Sequence, residues 1–278
     1  MKHVLIPTDF SDNAWNAIRY GMELFKKSKC TFYLLHVSPI SPNIGEAAKH
    51  APKEVLDDNL LKDSWEKIEN VLHKIESLPF NTKHTFETLV HYGYFSDTIK
   101  QVVLAKKIDL IIMGTKGASG LKATIIGSNT GNVLTKVKCP VLAIPENAHY
   151  KKPKEIAFPT DFNLNYDLKV LDDIKELLVT HNASLRVLYI SKKGEELLEL
   201  QLKNKEFLYD YFSEFESTFH QVTSEKLETA VQCFTESRDI DIIVMVAKNL
   251  NFLQRILFKP TVEKISYHTN VPFFVVHE

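Results

Sequence analysis

Glycine is scarce in this chain, nine residues in 278, and five of the nine fall between Met113 and Leu134. Cysteine is scarcer still. Cys30, Cys139 and Cys233 are odd in number and far apart, which argues against a disulfide framework and fits a reducing compartment. Neither sign of charge is in excess, with 34 Lys and Arg against 35 Asp and Glu. A general nucleic-acid binder, whose affinity rests on neutralising phosphates, is therefore not expected. No apolar run approaches the ~20 residues needed to span a bilayer. The N-terminal run in MKHVLIPTDF stops at Pro7-Thr8-Asp9, far short of a secretory signal. The expectation is a soluble cytoplasmic protein with no membrane contact.

Familiar site patterns are missing as well. There is no G-x-x-x-x-G-K-[ST], no G-x-G-x-x-G opening a helix after the first strand, and no G-x-S-x-G elbow. The eleven histidines are dispersed, and none is spaced with carboxylates or cysteines as a zinc site requires. Spacing assigns no Ser–His–acid group, so no catalytic residue and no metal ligand is named.

What is present is repetition. HVLIPTDFSDNAWNAIRYGMELF (3–25) matches EIAFPTDFNLNYDLKVLDDIKEL (155–177), IDLIIMGTKG (108–117) matches IDIIVMVAKN (240–249), and KCPVLAIPE (138–146) matches NVPFFVVHE (270–278). Three blocks in the same order read as a tandem of two units with a period of about 140 residues. The expected domains are 1–146 and 154–278, with the polar ENAHYKKPKE (146–155) between them.

Each unit alternates strands and helices. The first reads as a strand ending at Pro7, a helix from Ser11 or Asp12 to about Lys27, strand 31–37, loop 38–52, helix 53–77, strand 82–90, a helix from Ser96 to Lys107, strand 108–113, a helix from 128, and strand 140–144. The second reads as IAFP, helix 163–181, strand 184–190, helix 194–218, strand 219–224, helix 225–238, IDIIVMV, helix 261–269 and PFFVV. LIIM and IIVMV are apolar at consecutive positions, as in strands covered by helices on both faces. The fold class is thus α/β: two doubly wound, five-stranded, mainly parallel sheets. Ligands of such sheets sit beyond the carboxyl ends of the strands where the strand order reverses.

The glycine-rich stretch follows directly from a central strand. Its spacing is Gly114-x2-Gly117-x9-Gly127-Ser128. Bare glycine amides in a turn form an anion-binding nest. Gly127-Ser128-Asn129-Thr130 then opens a helix whose free N–H groups and dipole favour phosphate, with Lys116 adding charge at the rim. Spacing leaves two readings open: a phosphate cradle, or a glycine-rich surface loop with capped ends.

The pattern G-x2-G-x9-G-[ST] after a fourth strand, with P-T-D ending the first, resembles the universal stress protein family, in particular its ATP-binding branch. The likeness extends over both units, so the whole chain looks like a tandem universal stress protein on an adenine nucleotide alpha hydrolase-like, Rossmann-like fold. The resemblance implies ATP binding in the first unit. It places Pro7, Thr8, Asp9 and Val37 on the adenine side, and Met113, Gly114, Lys116, Gly117, Gly127, Ser128, Asn129 and Thr130 around ribose and phosphates. No acidic residue lies between Gly114 and Lys136, so any Mg²⁺ would be held by the phosphates and water. In the family the fifth strand commonly pairs two domains. Here that implies internal pairing of the two halves, and leaves room for a homodimer.

The second unit departs from the pattern: Gly114 aligns with Val246, Gly117 with Asn249, Gly127 with Lys259 and Ser128 with Pro260. ATP is not expected there in the same mode. That unit keeps Pro159-Thr160-Asp161-Phe162, so Asp9 has two open roles, ligand contact or turn structure. His36 is read as a packed or strand-end histidine, His91 as a solvated turn residue, and the cysteines as small buried or boundary residues. In helix 194–218, Leu197, Leu198, Leu200, Leu202, Phe207, Leu208, Tyr211, Phe212 and Phe215 form a broad apolar stripe. Most of it is expected to cover the sheet, with an excess that could meet a partner chain. The functional expectation is a nucleotide-responsive stress or regulatory protein, not an enzyme. Two rivals stand beside it: an ATP hydrolase or nucleotidyl transferase of the related fold, and a nucleotide-free interaction scaffold.

Overall fold

The computed structural model describes residues 1–39, 53–115, 126–163, 166–247 and 270–277, with backbone alone for 53–60. The first part runs β1 (Lys2–Pro7), α1 (Asp12–Leu24), β2 (Cys30–Ser38), α2 (Lys53–Glu76), β3 (His84–Tyr92), α3 (Phe95–Ala105), β4 (Leu110–Gly114), α4 (Ser128–Lys136) and β5 (Val141–Ile144). The second runs β6 (Glu155–Thr160), α5 (Leu168–His181), β7 (Ser184–Ser191), α6 (Glu199–Tyr211), β8 (Ser217–Thr223), α7 (Leu227–Ser237), β9 (Ile242–Val246) and β10 (Phe273–Val276).

The ten strands form one sheet in the order β3-β2-β1-β4-β5-β10-β9-β6-β7-β8. Neighbours are parallel except β5 and β10, which are antiparallel, with Ala143 opposite Phe273 and Val141 opposite Val275. The chain moves outward from β1 to β3, then returns to β4 on the other side of β1. The strand order therefore reverses between β1 and β4, and again between β6 and β9. A crevice opens at such a point because the two flanking connections leave on opposite faces.

Alternation along the strands builds two apolar layers. Val4, Ile6, Phe32 and Leu34 meet α1 and α2 on one face, and Ile156, Phe158 and Val187 meet α5 and α6 on the same face. Leu5, Leu35, Ile111 and Met113 meet α3 and α4 on the other, joined there by Ile243, Met245 and α7. Both layers run on through β5 and β10, so the central strands are covered on both faces. Among the described residues no helix is long and apolar enough to cross a membrane.

The aspartates of the two IDLIIM-like blocks start the sheet. Asp109 Oδ2 accepts the His3 N–H at 2.7 Å, and Asp241 Oδ2 accepts those of Lys154 and Glu155 at 2.7 and 3.1 Å. Each carboxylate satisfies the amides where the strand begins.

Some boundaries differ from expectation. Helix α1 stops at Leu24, where the Phe25 N–H turns back to the Gly21 carbonyl. Helix α5 begins at Leu168 instead of 163, capped by Asp167, whose side chain accepts the Lys169 N–H at 2.9 Å. The largest change is α6, expected over 194–218 and found over Glu199–Tyr211. Gly194, at φ +76°, lies in a turn before it, and after it the Ser213 and Phe215 amides fold back onto Asp210 and Phe212. The apolar stripe also divides. Leu208 and Phe212 are buried, whereas Leu198, Leu200, Leu202 and Phe207 are 40–68% exposed. Gln201 and Asn204 occupy inward positions that an apolar count passes over. Cys30 and Cys139 are buried, and burial pushes both thiols up to about 12, while Cys233 is exposed. The expected helix 261–269 lies outside the described residues.

Candidate functional site

A cleft of about 690 Å³, part of it open to solvent, lies at the carboxyl ends of β1, β2 and β4. It brings together Pro7, Thr8, Asp9, Val37, Met113, Gly114, Gly127, Ser128, Asn129 and Thr130 from the sequence expectation. Ala14, His36 and Phe95 line it too. Lys116 and Gly117 lie outside the described residues.

The first wall is the Pro-Thr-Asp-Phe turn. Thr8 still belongs to the sheet, its N–H bonded to the Leu35 carbonyl at 2.8 Å. Phe10 then takes a left-handed φ of 67° and turns the chain into α1. A side chain in that region costs roughly 1–2 kcal/mol, and local bonds hold it there. Thr8 Oγ1 accepts the Phe10 N–H at 3.1 Å. Asp9 Oδ1 accepts the Ser11 N–H at 3.1 Å and its hydroxyl at 2.6 Å. The Ser11 hydroxyl oxygen in turn accepts the Ala14 N–H at 3.2 Å, capping α1. His36 Nδ1 lies 2.9 Å from the Thr8 carbonyl, which can only accept, so that nitrogen carries the proton. The ring stacks on Phe10 with centroids 4.4 Å apart. His36 is thus packed, as expected, and also faces the cleft. His91 is exposed and does not line it.

The second wall is the end of β4 and the start of α4. A Cβ on Gly114 would sit 2.8 Å from Asn13 Cγ on α1, a buried side chain, so glycine is required by the close approach. The Gly127 N–H reaches the Thr115 carbonyl at 2.6 Å, and the Thr130 hydroxyl donates to the Gly114 carbonyl at 2.8 Å. These bonds tie the helix start to the strand end. Gly127 is the N-cap and offers no capping side chain, unlike Ser11 at α1. The first-turn amides of Ser128, Asn129 and Thr130 have no intrahelical partner by helix geometry. Ser128 and Asn129 are exposed at the cleft.

Among the described lining residues Asp9 is the one carboxylate, and there is no Lys or Arg. No group of three or more His, Cys, Asp and Glu fit to hold a metal occurs among the described residues. The described lining combines the amides and hydroxyls of Thr8, Ser128, Asn129 and Thr130 with the apolar side chains of Pro7, Ala14, Val37, Phe95 and Met113. That pairing suits a ligand with an anionic group at one end and an apolar, planar body at the other.

The corresponding turn of the second half is built alike and surrounded differently. Thr160 Oγ1 accepts the Phe162 N–H at 3.0 Å, Asp161 Oδ1 accepts the Asn163 N–H at 3.1 Å, and Phe162 takes φ 57°. Tyr189 holds the place of His36 and stacks on Phe162 at 5.4 Å. Here, however, the Thr160 and Tyr166 hydroxyls lie 2.5 Å apart. Gln201 and Asn204 of α6 donate to the Asp161 and Phe162 carbonyls, each at 2.7 Å. Burial pushes the Tyr166 and Tyr189 phenols above their usual range. Val246 stands at the place of Gly114 and is buried; Asn249, Lys259 and Pro260 lie outside the described residues.

Comparison with known proteins gives a consistent answer. The model of the universal stress protein family matches residues 1–145. Two universal stress proteins of Methanocaldococcus jannaschii are each 30% identical, over 154 and 157 residues. The matches cover 55% and 51% of this chain, and 84% and 94% of theirs. A universal stress protein structure from Archaeoglobus fulgidus superposes with a TM-score of 0.71 at 18% identity, covering 99% of this chain and 98% of that one, a likeness of fold.

Proposed function

The chain belongs to the universal stress protein family, and from that premise we propose that its first half binds ATP or another adenine nucleotide in the cleft between β1 and β4. The observation that carries the proposal is the convergence of the uncapped start of α4 with Gly114 and the Pro7-Thr8-Asp9 turn on one crevice. First-turn amides and the helix dipole favour the phosphates. Glycine at 114 lets the backbone come close, and the apolar side chains take the base. A Mg²⁺ ion would be carried by the phosphates and water, since Asp9, the one carboxylate among the described lining residues, has Oδ1 engaged with Ser11.

The second half is proposed to bind no nucleotide in this mode. Tyr166, Gln201 and Asn204 stand against its turn, and Val246 replaces the glycine. The two halves, bounded at 1–146 and 154–278, are read as a tandem pair joined along β5 and β10 as an internal pseudo-dimer. The protein acts as a nucleotide-responsive binding and regulatory protein of the cytoplasm, not as an enzyme. Calorimetric titration with ATP, AMP and GTP, repeated on Gly127→Val, tests the reading. Adenine nucleotides should bind the native chain and fail on the variant. No heat with any of them, or equal affinity in Gly127→Val, contradicts it.

A further inference from the structure

Helix α4 has nine residues, a rod of about 13 Å, and it is gripped at both ends. At its start the Gly127 amide and the Thr130 hydroxyl bond to the end of β4. At its far end the Leu134 carbonyl, one of the last-turn acceptors without an intrahelical donor, lies 2.9 Å from His277 Nε2. That contact is buried and joins residues 143 positions apart. Val133, Leu134 and Val137 of the rod and its exit are buried in the apolar layer.

The far grip comes from the other half of the chain, and the matched position in the first half carries no such donor. His277 directly follows β10. Matching 138–146 to 270–278 places Pro145 at the equivalent position after β5, and proline has no side-chain donor. The tautomer is fixed by the partner: a carbonyl only accepts, so Nε2 carries the proton. Burial holds the imidazole below its usual range, against the Leu134 and Cys139 backbone hydrogen bonds that favour the charged ring, with Lys138 adding to the lowering. The Nε2–H is spent on α4.

We propose that His277 is a positioning residue of the nucleotide cleft: by holding the Leu134 carbonyl it fixes the tilt of α4 and so aims the amides at 128–130. On this view the half that has lost the glycine pattern is needed by the half that keeps it, because it supplies a support the first half cannot make for itself. The proposal rests on the nucleotide reading above, and its test separates the two.

The test uses the full chain carrying His277→Leu, which cannot donate, and His277→Gln, whose amide nitrogen falls near the place of Nε2. His277→Asn, whose amide falls near Nδ1, serves as a second loss variant if His277→Leu does not fold. ATP affinity is measured by calorimetry well below each melting midpoint, and amide exchange at 128–131 is measured without nucleotide. The loss variant should bind ATP roughly tenfold more weakly and exchange faster at 128–131, and His277→Gln should recover most of both. Native affinity and native exchange in the loss variant, with only a lower melting midpoint, would overturn the proposal. If the native chain binds no ATP, the nucleotide reading fails. Exchange then still decides the positioning role, since unchanged exchange at 128–131 overturns it.

Discussion

The two Pro-Thr-Asp-Phe turns of this chain share a left-handed phenylalanine and the same two side-chain-to-amide hydrogen bonds, yet the first lines a cleft while the second is bonded by the side chains of Tyr166, Gln201 and Asn204. Threonine and aspartate side chains accept the same two amides in each, and the phenylalanine takes the same left-handed φ. The difference lies in what stands against the turn. In the first half these are Gly114 and the start of α4. In the second they are Tyr166, Gln201 and Asn204. The turn is thus a shared structural device set in different surroundings.

The largest expected effect follows from the second turn. Phe162 is fully buried and stacked on Tyr189, whereas Phe10 is half-buried beside the cleft. Phe162→Ala should cost about 3–5 kcal/mol in denaturant unfolding, and Phe10→Ala clearly less. Equal costs would mean the two turns are not packed differently after all.

Next comes Gly114→Val, which copies the second half into the first. Its Cβ meets Asn13 at 2.8 Å, so ATP affinity should fall about a hundredfold, or ~2.7 kcal/mol. The reverse change, Val246→Gly, should create no binding, because Tyr166, Gln201 and Asn204 remain. Titration of both variants checks the pair.

A smaller effect tests what is shared. Asp9→Ala and Asp161→Ala each remove an acceptor for a turn amide and should each cost about 1 kcal/mol in unfolding. Asp9→Ala alone should also alter ATP affinity. A much larger stability loss at Asp9 would break the equivalence of the turns.

The mildest perturbation is acid. Burial lowers the proton affinity of His181, His220 and His277, all in the second half. Unfolding frees these rings to bind protons near the usual 6.5, so stability is full above that value and declines as pH falls below it. Thermal midpoints should drop between about pH 7 and about pH 5.5, and His181→Gln should flatten the decline.

Much of this was legible in the residues because the signals are local. The glycine spacing and the Pro-Thr-Asp ends of two strands locate the cleft, since chain reversal at a strand end leaves a sequence mark. Ala14, His36 and Phe95 were not read as lining because they reach the cleft only through packing of α1, β2 and α3. Asp109 and Asp241 did carry a signal, each preceding an apolar strand in a matched block, though their role as acceptors for the starts of β1 and β6 needs the sheet order. Helix α6 was overextended because its leucines suggest a long amphipathic stripe. Gln201 and Asn204, which actually face inward, are drawn there by turn carbonyls 40 and 42 residues away. His277 is likewise set by a partner 143 residues distant.

The central proposal is that one half takes nucleotide and the other does not, and counting bound nucleotide tests it most directly. Native mass spectrometry of the full chain with excess ATP should show one nucleotide per chain, and none for Gly127→Val. Two per chain, or none on the unaltered protein, would contradict the account.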